Sequence, residues 1–462
     1  MSAPTTTTKT PPAREGSLEA PTRHPLDWKN PEFWDQTSLE AELERTFNIC
    51  HGCRRCVNLC TAFPTLFDLV DESKTMEVDG VDKKDFGKVV DQCYLCDMCY
   101  LTKCPYVPPH PWNVDFPHLM LRAKAVKFKK GEVTFRDRLL TSTDALGKLA
   151  TIPVVVQAVN ALNKSPAARG VMDSLLKVHK ERRLPEYANR KFRPNAAISG
   201  AFPVRDGKNT PGKVVIFSTC YINYNEPGIG HDLLAILEHN EIAYVLVEKE
   251  VCCGMPKLEL GDLDEVEKKK NKNIPVLAKA ALDGYAILTP VPSCTLMFKQ
   301  ELPLMFPEDS AVQAVKAAMF DPFEYFMLRN RDGLLKIDFK AGLGSVSYHI
   351  PCHSRVQNVG QKTREMLQLI PGTQVNTVER CAGHDGTWGV KTEYFDNSMK
   401  IGRPVFRSMG EKAPNYISSD CPIAARHIEQ GIDAAGEESA TFNANRAEKA
   451  HPISLLRRAY GI

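Results

Sequence analysis

The 462-residue sequence predicts an α/β protein with an all-α N-terminal part. Three observations carry that reading. Eight cysteines form two tight quartets, Cys50, Cys53, Cys56 and Cys60, then Cys93, Cys96, Cys99 and Cys104, among segments of helical rather than alternating pattern. From Lys213 onward the grammar changes to short apolar runs separated by helical periodicity, as expected of βαβ units. That grammar then repeats: Cys220 and Cys352, Cys252 and Cys381, Cys294 and Cys421 are offset by 132, 129 and 127 residues, so the C-terminal half reads as two duplicated βαβ lobes.

Taken in order, residues 1–36 are rich in Thr, Pro and charge and are expected to be a disordered tail. Thr37-Ser38-Leu39-Glu40 reads as a capping box, with Leu39, Leu43 and Phe47 on one helical face delivering the chain to Cys50. A helical domain is therefore expected over 37–120, with helices around both quartets. Residues 121–210 hold no cysteine and alternate apolar with basic helical stretches; they are expected to be a helical linker, or an amphipathic face for a partner or membrane surface. Lobe 1, over 211–335, has strands at Val214–Phe217, Ala243–Val247 and Tyr285–Leu288, which lead to Cys220, Cys252-Cys253-Gly254 and Cys294. Its Lys268-Lys269-Lys270 run is expected on a solvated face. Lobe 2, over 336–462, has strands at Ser345–Ile350, Gln374–Val378 and Asn415–Ser418, which lead to Cys352, Cys381 and Cys421. Every cysteine of both lobes follows the carboxyl end of a strand, where open α/β sheets place their sites.

The quartet spacings, C-x2-C-x2-C-x3-C and C-x2-C-x2-C-x4-C-P, match the dicluster ferredoxin pattern, in which the distal cysteine of each run serves the other cluster. Two [4Fe–4S] clusters are expected, one held by Cys50, Cys53, Cys56 and Cys104, the other by Cys60, Cys93, Cys96 and Cys99. The extra residue before Cys104 is the one departure. Zinc is the alternative, but a third cysteine at an x2 step overfills a zinc site. No apolar signal core follows Met1, so disulfides and an oxidising compartment are not expected. Net charge is +3 without a basic stripe, which argues against nucleic acid as partner. No run of 18 apolar residues spans a membrane. A cytoplasmic protein is expected, peripheral on the inner membrane face at most.

The quartets, together with Cys220-Tyr221-Ile222-Asn223-Tyr224-Asn225, Cys252-Cys253-Gly254, Pro351-Cys352-His353, Gly386-Thr387-Trp388-Gly389 and His451-Pro452-Ile453, resemble the cysteine-rich, CCG-domain iron–sulfur family. That family includes C subunits of anaerobic glycerol-3-phosphate dehydrogenase, heterodisulfide reductase B/D subunits, and iron–sulfur subunits of glycolate and lactate oxidases. The likeness runs from about Phe47 to Tyr460. It implies an α-helical dicluster ferredoxin domain feeding two CCG-type lobes. It implies a third iron–sulfur cluster in lobe 1, held by Cys220, Cys252, Cys253 and Cys294, with Cys252 and Cys253 as catalytic candidates.

Lobe 2 departs from the pattern. It has Cys381-Ala382 where two cysteines are expected and Cys421-Pro422-Ile423-Ala424 where C-x-x-C is expected. Cys352, Cys381 and Cys421, with His384 as fourth ligand, suit zinc or an altered cluster; His353 and His427 lie near in sequence, and a metal-free thiol set is the other reading. The lobes are thus duplicated in fold and unequal in function. The functional expectation is an electron-transfer subunit that relays electrons between a partner redox protein, a flavoprotein dehydrogenase or a rubrerythrin-like diiron protein, and a quinone or other acceptor. Two alternatives stand beside it: a heterodisulfide or disulfide reductase using the lobe 1 cluster, and a zinc-stabilised interaction protein. No glycine-rich dinucleotide fingerprint follows a strand, so hydride is expected to enter elsewhere.

Overall fold

The structure is a computed structural model and describes residues 21–193, 199–411, 413–438 and 447–462. The first twenty residues of the expected disordered tail lie outside the described residues, but residues 21–36 are ordered. Leu26 and Trp28 are buried in the main core, and the Trp28 indole donates to the Met305 carbonyl at 3.2 Å. Two large apolar side chains in a Thr/Pro-rich stretch were enough to anchor it, which composition averaged over the tail conceals.

The N-terminal domain is helical: α1 (Gln36–Cys53), α2 (Ala62–Asp71), α3 (Phe86–Gln92), α4 (Met98–Thr102) and α5 (Phe116–Lys129). The cap of α1 differs from expectation. Asp35, not Thr37, is the N-cap, its carboxylate accepting the Ser38 N–H at 2.7 Å; an Asp at the preceding turn outcompetes the Thr hydroxyl as an acceptor. Leu39, Leu43 and Phe47 do form the buried face of α1, where Phe47 meets Phe86 edge-on at 5.0 Å. These residues and Phe63, Leu66, Phe67 and Phe116 form a core of their own.

Four helices follow: α6 (Phe135–Leu140), α7 (Thr143–Ala150), α8 (Val155–Lys164) and α9 (Pro166–Leu176). They act as a strap across both lobes. Lys269 of lobe 1 pairs with Asp144 at 2.9 Å, and Arg136 pairs with Glu393 of lobe 2 at 2.7 Å. Val178 bridges to Lys391, and the Arg182 guanidinium donates to His427 and, at 2.8 Å, to Ser398.

Lobe 1 is a five-stranded sheet of order β1-β3-β2-β4-β5, built from β1 (Ser199–Gly200), β2 (Lys213–Ile216), β3 (Ala243–Leu246), β4 (Ala286–Leu288) and β5 (Met319–Phe320). Only β1 runs antiparallel to its neighbour. Lobe 2 is a four-stranded parallel sheet of order β7-β6-β8-β9, built from β6 (Gly344–His349), β7 (Thr373–Val378), β8 (Tyr416–Ser419) and β9 (Glu448–Lys449). In each lobe the first long strand is central, flanked by the next two in sequence. This common order is the structural form of the internal repeat. Continuous apolar runs such as Val214-Val215-Ile216 are buried on both sheet faces, as parallel strands require.

Three features were not foreseen. Of the Lys268–Lys270 run only Lys268 is solvated; Lys269 and Lys270 each keep 12% side-chain exposure and pair with Asp144 and Asp309. The C-terminal helix Pro452–Tyr460 returns to lobe 1, where the Tyr460 ring packs 4.4 Å from that of His239. Leu455, Leu456 and Tyr460 consequently join one hydrophobic core that spans both lobes.

Arg23 locks the N-terminal domain to lobe 1. Its guanidinium contacts Asp97 at 2.6 Å and Asp115 at 2.9 Å, with Glu301 of lobe 1 at 3.7 Å, and its side chain is only 7% exposed. Burial raises the Asp115 carboxyl, but Arg23 and His118 outweigh it and hold the group at about 2. Truncation of Arg23 would strand three buried carboxylates. Arg23→Ala is expected to cost about 3–5 kcal/mol in urea unfolding, and Arg23→Lys to recover only part of it, because lysine lacks the planar fork. Equal stability of Arg23→Ala and the parent would refute this account.

Candidate functional site

The cysteines gather in four groups. Cys50 and Cys53 sit in the last turn of α1, which ends at Arg54 in a left-handed conformation (φ 49°). Cys50, Cys53, Cys56 and Cys104 line one pocket, walled by Phe63, Phe67 and Val114. Burial pushes the Cys50 thiol well up, and Cys104, Cys56 and Cys53 push it further. Cys60 lies instead with Cys93 and Cys99, and all three thiols are raised by burial first. The loop carrying this second group is strained: Leu95 and Asp97 have φ of 56° and 60°. Such non-glycine residues in the left-handed region turn successive amides towards one centre.

Backbone amides face the sulfurs throughout. Those of Ala62 and Phe63 face Cys60, that of Leu95 faces Cys93, and those of Tyr106 and Val107 face Cys104. Each works against burial, favouring thiolate over thiol. Sulfurs so grouped, with amide donors and without a nearby chain cation for each, fit iron–sulfur centres, whose irons would supply the missing positive charge.

In lobe 1, Cys220 opens α10 (Cys220–Tyr224) after β2, Cys252 and Cys253 follow β3, and Cys294 lies in the short helix Pro292–Leu296 after β4. Side-chain hydrogen bonds join Cys220 to Cys252, Cys252 to Cys253 and Cys253 to Cys294. Cys252 is at the centre; donation by Cys220, then Cys253, holds it well below the ordinary thiol value despite burial. Gly254, at φ 106°, adds its amide to the same sulfur. This conformation explains the glycine of the Cys-Cys-Gly motif. The strap completes the site: Thr143 lies beside the Cys252 and Cys220 thiols, and both Asp144 carboxylate oxygens accept the Cys252 N–H, at 3.0 and 2.9 Å.

In lobe 2, Cys352, Cys381 and Cys421 follow β6, β7 and β8. Burial raises Cys352, with Asp385, Cys381 and Cys421 adding to it; burial also pushes Cys381 and Cys421 up to about 12. Asp385 sits between two of the sulfurs, its oxygens 3.9 Å from Cys352 and 3.9 Å from Cys381. The Cys381 sulfur accepts the Gly383 N–H at 3.2 Å and lies 3.3 Å from the Tyr94 hydroxyl. Among the described residues, no three His, Cys, Asp or Glu side chains converge as ligands of one metal ion. The ring of His384 lies 6.1 Å from that of His427. His427 in turn accepts from Arg182, and His353 Nδ1 lies 3.0 Å from the Ser293 hydroxyl.

Sequence reasoning missed Thr143, Asp144, Tyr94 and Asp385. Tyr94, inside the Cys93–Cys96 step, and Asp385, next to His384, stood within the motifs. Thr143 and Asp144 carried no signal, because nothing local relates the strap to a loop more than a hundred residues away.

Two α/β lobes of one topology, each with cysteines in the loops after three strands, define a duplicated cysteine-rich architecture. Residues 214–299 and 346–428 each match the CCG family, described as "Cysteine-rich domain". One segment of each lobe is thus similar to this cysteine-rich family. One anaerobic glycerol-3-phosphate dehydrogenase subunit, from Escherichia coli K12, is 27% identical over 358 residues, covering 76% of this chain and 83% of that protein. A fumarate reductase (CoM/CoB) subunit of Methanothermobacter marburgensis is 27% identical over 50% of this chain and 44% of its own length. Lactate utilization protein A of Bacillus pumilus is 28% identical over 45% of this chain and 87% of its own length.

Proposed function

We propose that this chain is an iron–sulfur electron-transfer subunit of an oxidoreductase. The observation that carries the reading is that Cys50, Cys53, Cys56 and Cys104 line one pocket and that Cys60, Cys93 and Cys99 lie together; the first four, and the other three with Cys96, would be the ligand sets of two [4Fe–4S] clusters. Cys220, Cys252, Cys253 and Cys294 would hold a third cluster, and Cys352, Cys381 and Cys421 an altered one. When bound, such clusters supply one-electron exchange; the protein's part is to bury the sulfurs, direct amides at them and exclude water. The likeness to dehydrogenase and reductase subunits supports a partner redox protein; the proposal takes it to be a flavoprotein or a rubrerythrin-like diiron protein, with a quinone or other acceptor.

The strap supports a peripheral membrane contact. Leu149, Ile152, Val154 and Leu162 are 61, 45, 79 and 55% exposed around the 109° bend between α7 and α8. Among the described residues no single helix is long and apolar enough to cross a membrane. An exposed apolar bend with Lys148 and Lys164 beside it suits the membrane interface.

A second reading, disulfide reduction at lobe 1, is favoured by the hydrogen-bonded chain of four thiols with a strongly acidified Cys252 at its centre.

Anaerobically purified protein is expected to be brown and to hold about twelve or more irons per chain; a colourless zinc protein silent in electron paramagnetic resonance after dithionite would refute the leading reading. Cys253→Ser is expected to abolish any disulfide turnover while leaving both quartet clusters reducible, and undiminished turnover would exclude the second reading. In flotation with vesicles containing anionic lipid, the parent is expected to float and Leu149→Glu/Val154→Glu to remain at the bottom; equal flotation would remove the membrane contact.

A further inference from the structure

The loop Cys93–Cys99 lies between the two lobes, and its two sides differ chemically. Towards lobe 1 it presents Leu95, which shares a small cavity with Met255, Leu258 and Leu296. Asp97, His118, Glu259 and Glu301 also line that cavity, which includes no cysteine. Towards lobe 2 it presents sulfur and hydroxyl: Tyr94 Oη lies 3.3 Å from Cys381 Sγ, and Cys96 is within electrostatic reach of Cys352 and Cys381. Tyr94 is buried and fixed. Its ring packs 5.2 Å from that of Trp388, whose indole donates to the Asp91 carbonyl at 3.2 Å, and Lys124 donates to the carbonyl of the adjacent Cys93.

A second junction joins the lobes. The short helices Pro292–Leu296, carrying Cys294, and Cys352–Arg355, carrying Cys352, pack together. Across them His353 Nδ1 meets Ser293 Oγ at 3.0 Å, so that the residues adjoining Cys352 and Cys294 are hydrogen-bonded to each other. Gln357 adds a bond to the His353 carbonyl at 2.9 Å, and the His353 ring also faces the Leu95 backbone. Sulfur-bearing elements therefore succeed one another without a break: second quartet, Tyr94–Cys381, Cys352-His353, Ser293-Cys294.

We propose that lobe 2 stands between the second quartet and lobe 1 in the electron route, with Tyr94 and His353 as the positioning residues at its two junctions. The inference rests on the electron-transfer reading and on Cys352, Cys381 and Cys421 holding a redox-active iron–sulfur centre. Each step moves one electron: the donor centre is oxidised by one, the acceptor reduced by one, and no bond is made or broken. The first reductant is any low-potential one-electron donor, such as dithionite. The degenerate lobe is thus the relay and not a vestige.

The test uses the whole anaerobically purified chain. Tyr94→Phe removes only the hydroxyl and with it a hydrogen bond to a ligand sulfur, one of the levers on cluster potential. In a potentiometric titration read by electron paramagnetic resonance, the lobe 2 signal is expected to shift to lower potential by about 59 mV, a tenfold change in a one-electron equilibrium. The signals assigned to lobe 1 are expected to stay in place. Ser293→Ala is expected to leave every potential unchanged but, in rapid-freeze experiments after dithionite mixing, to slow the lobe 1 signal about tenfold behind that of lobe 2. A Tyr94→Phe shift confined to lobe 1, no shift in any signal, or a lobe 1 signal that appears before that of lobe 2 would each overturn the inference. Failure of the electron-transfer reading is distinguished from these outcomes, since the parent would then give no signals.

Discussion

The constraint on which the molecule depends is the burial of the Cys93–Cys99 loop between the N-terminal domain and the two lobes. A loop that carries three thiols and a carboxylate, Asp97, is an unfavourable thing to enclose. Arg23 makes it tolerable by reaching in from the N-terminal segment and compensating Asp97 together with Asp115 and Glu301. The arrangement is costly in desolvation and therefore specific: a buried cation with three acidic partners has few other places to go. Around this fixed loop the remaining cysteine groups take their positions.

Each lobe solves the same geometrical problem in the same way. Parallel strands deliver three loops to one sheet edge, and the cysteines in those loops converge because the strands are adjacent, not because the residues are close in sequence. What separates the lobes is what faces them. Lobe 1 is capped by the strap, through Thr143 and Asp144, and its thiols bond to one another. Lobe 2 is capped by the quartet domain, through Tyr94, and its sulfurs face Asp385. The same cysteine framework thus sits in a self-contained thiol network on one side and at a domain junction on the other.

The strap has a double role. Its inner face supplies ion pairs and hydrogen bonds to both lobes, which a loosely tethered linker would not. Its outer bend leaves Leu149, Ile152 and Val154 uncovered. Apolar side chains are ordinary on a protein surface when scattered, and are informative when gathered at one bend of otherwise well-anchored helices.

Much was legible in the sequence. Apolar runs and the cysteines that follow them placed β2, β3, β4, β6, β7 and β8 to within a residue or two, most plainly at β2 and β4, which are buried on both faces. The duplication was readable from the cysteine offsets. Tertiary structure alone decided the order of the tail from residue 21, the pairing of Lys269 and Lys270, the return of the C-terminal helix to lobe 1, and the arrival of Thr143, Asp144 and Tyr94 at cysteines far along the chain. The physical reason is common to all of these. Spacing determines which sulfurs can share a loop, and periodicity determines which side chains must be buried. Which charges and hydroxyls then meet those sulfurs depends on how separately folded layers pack, and that information lies in no local stretch of sequence.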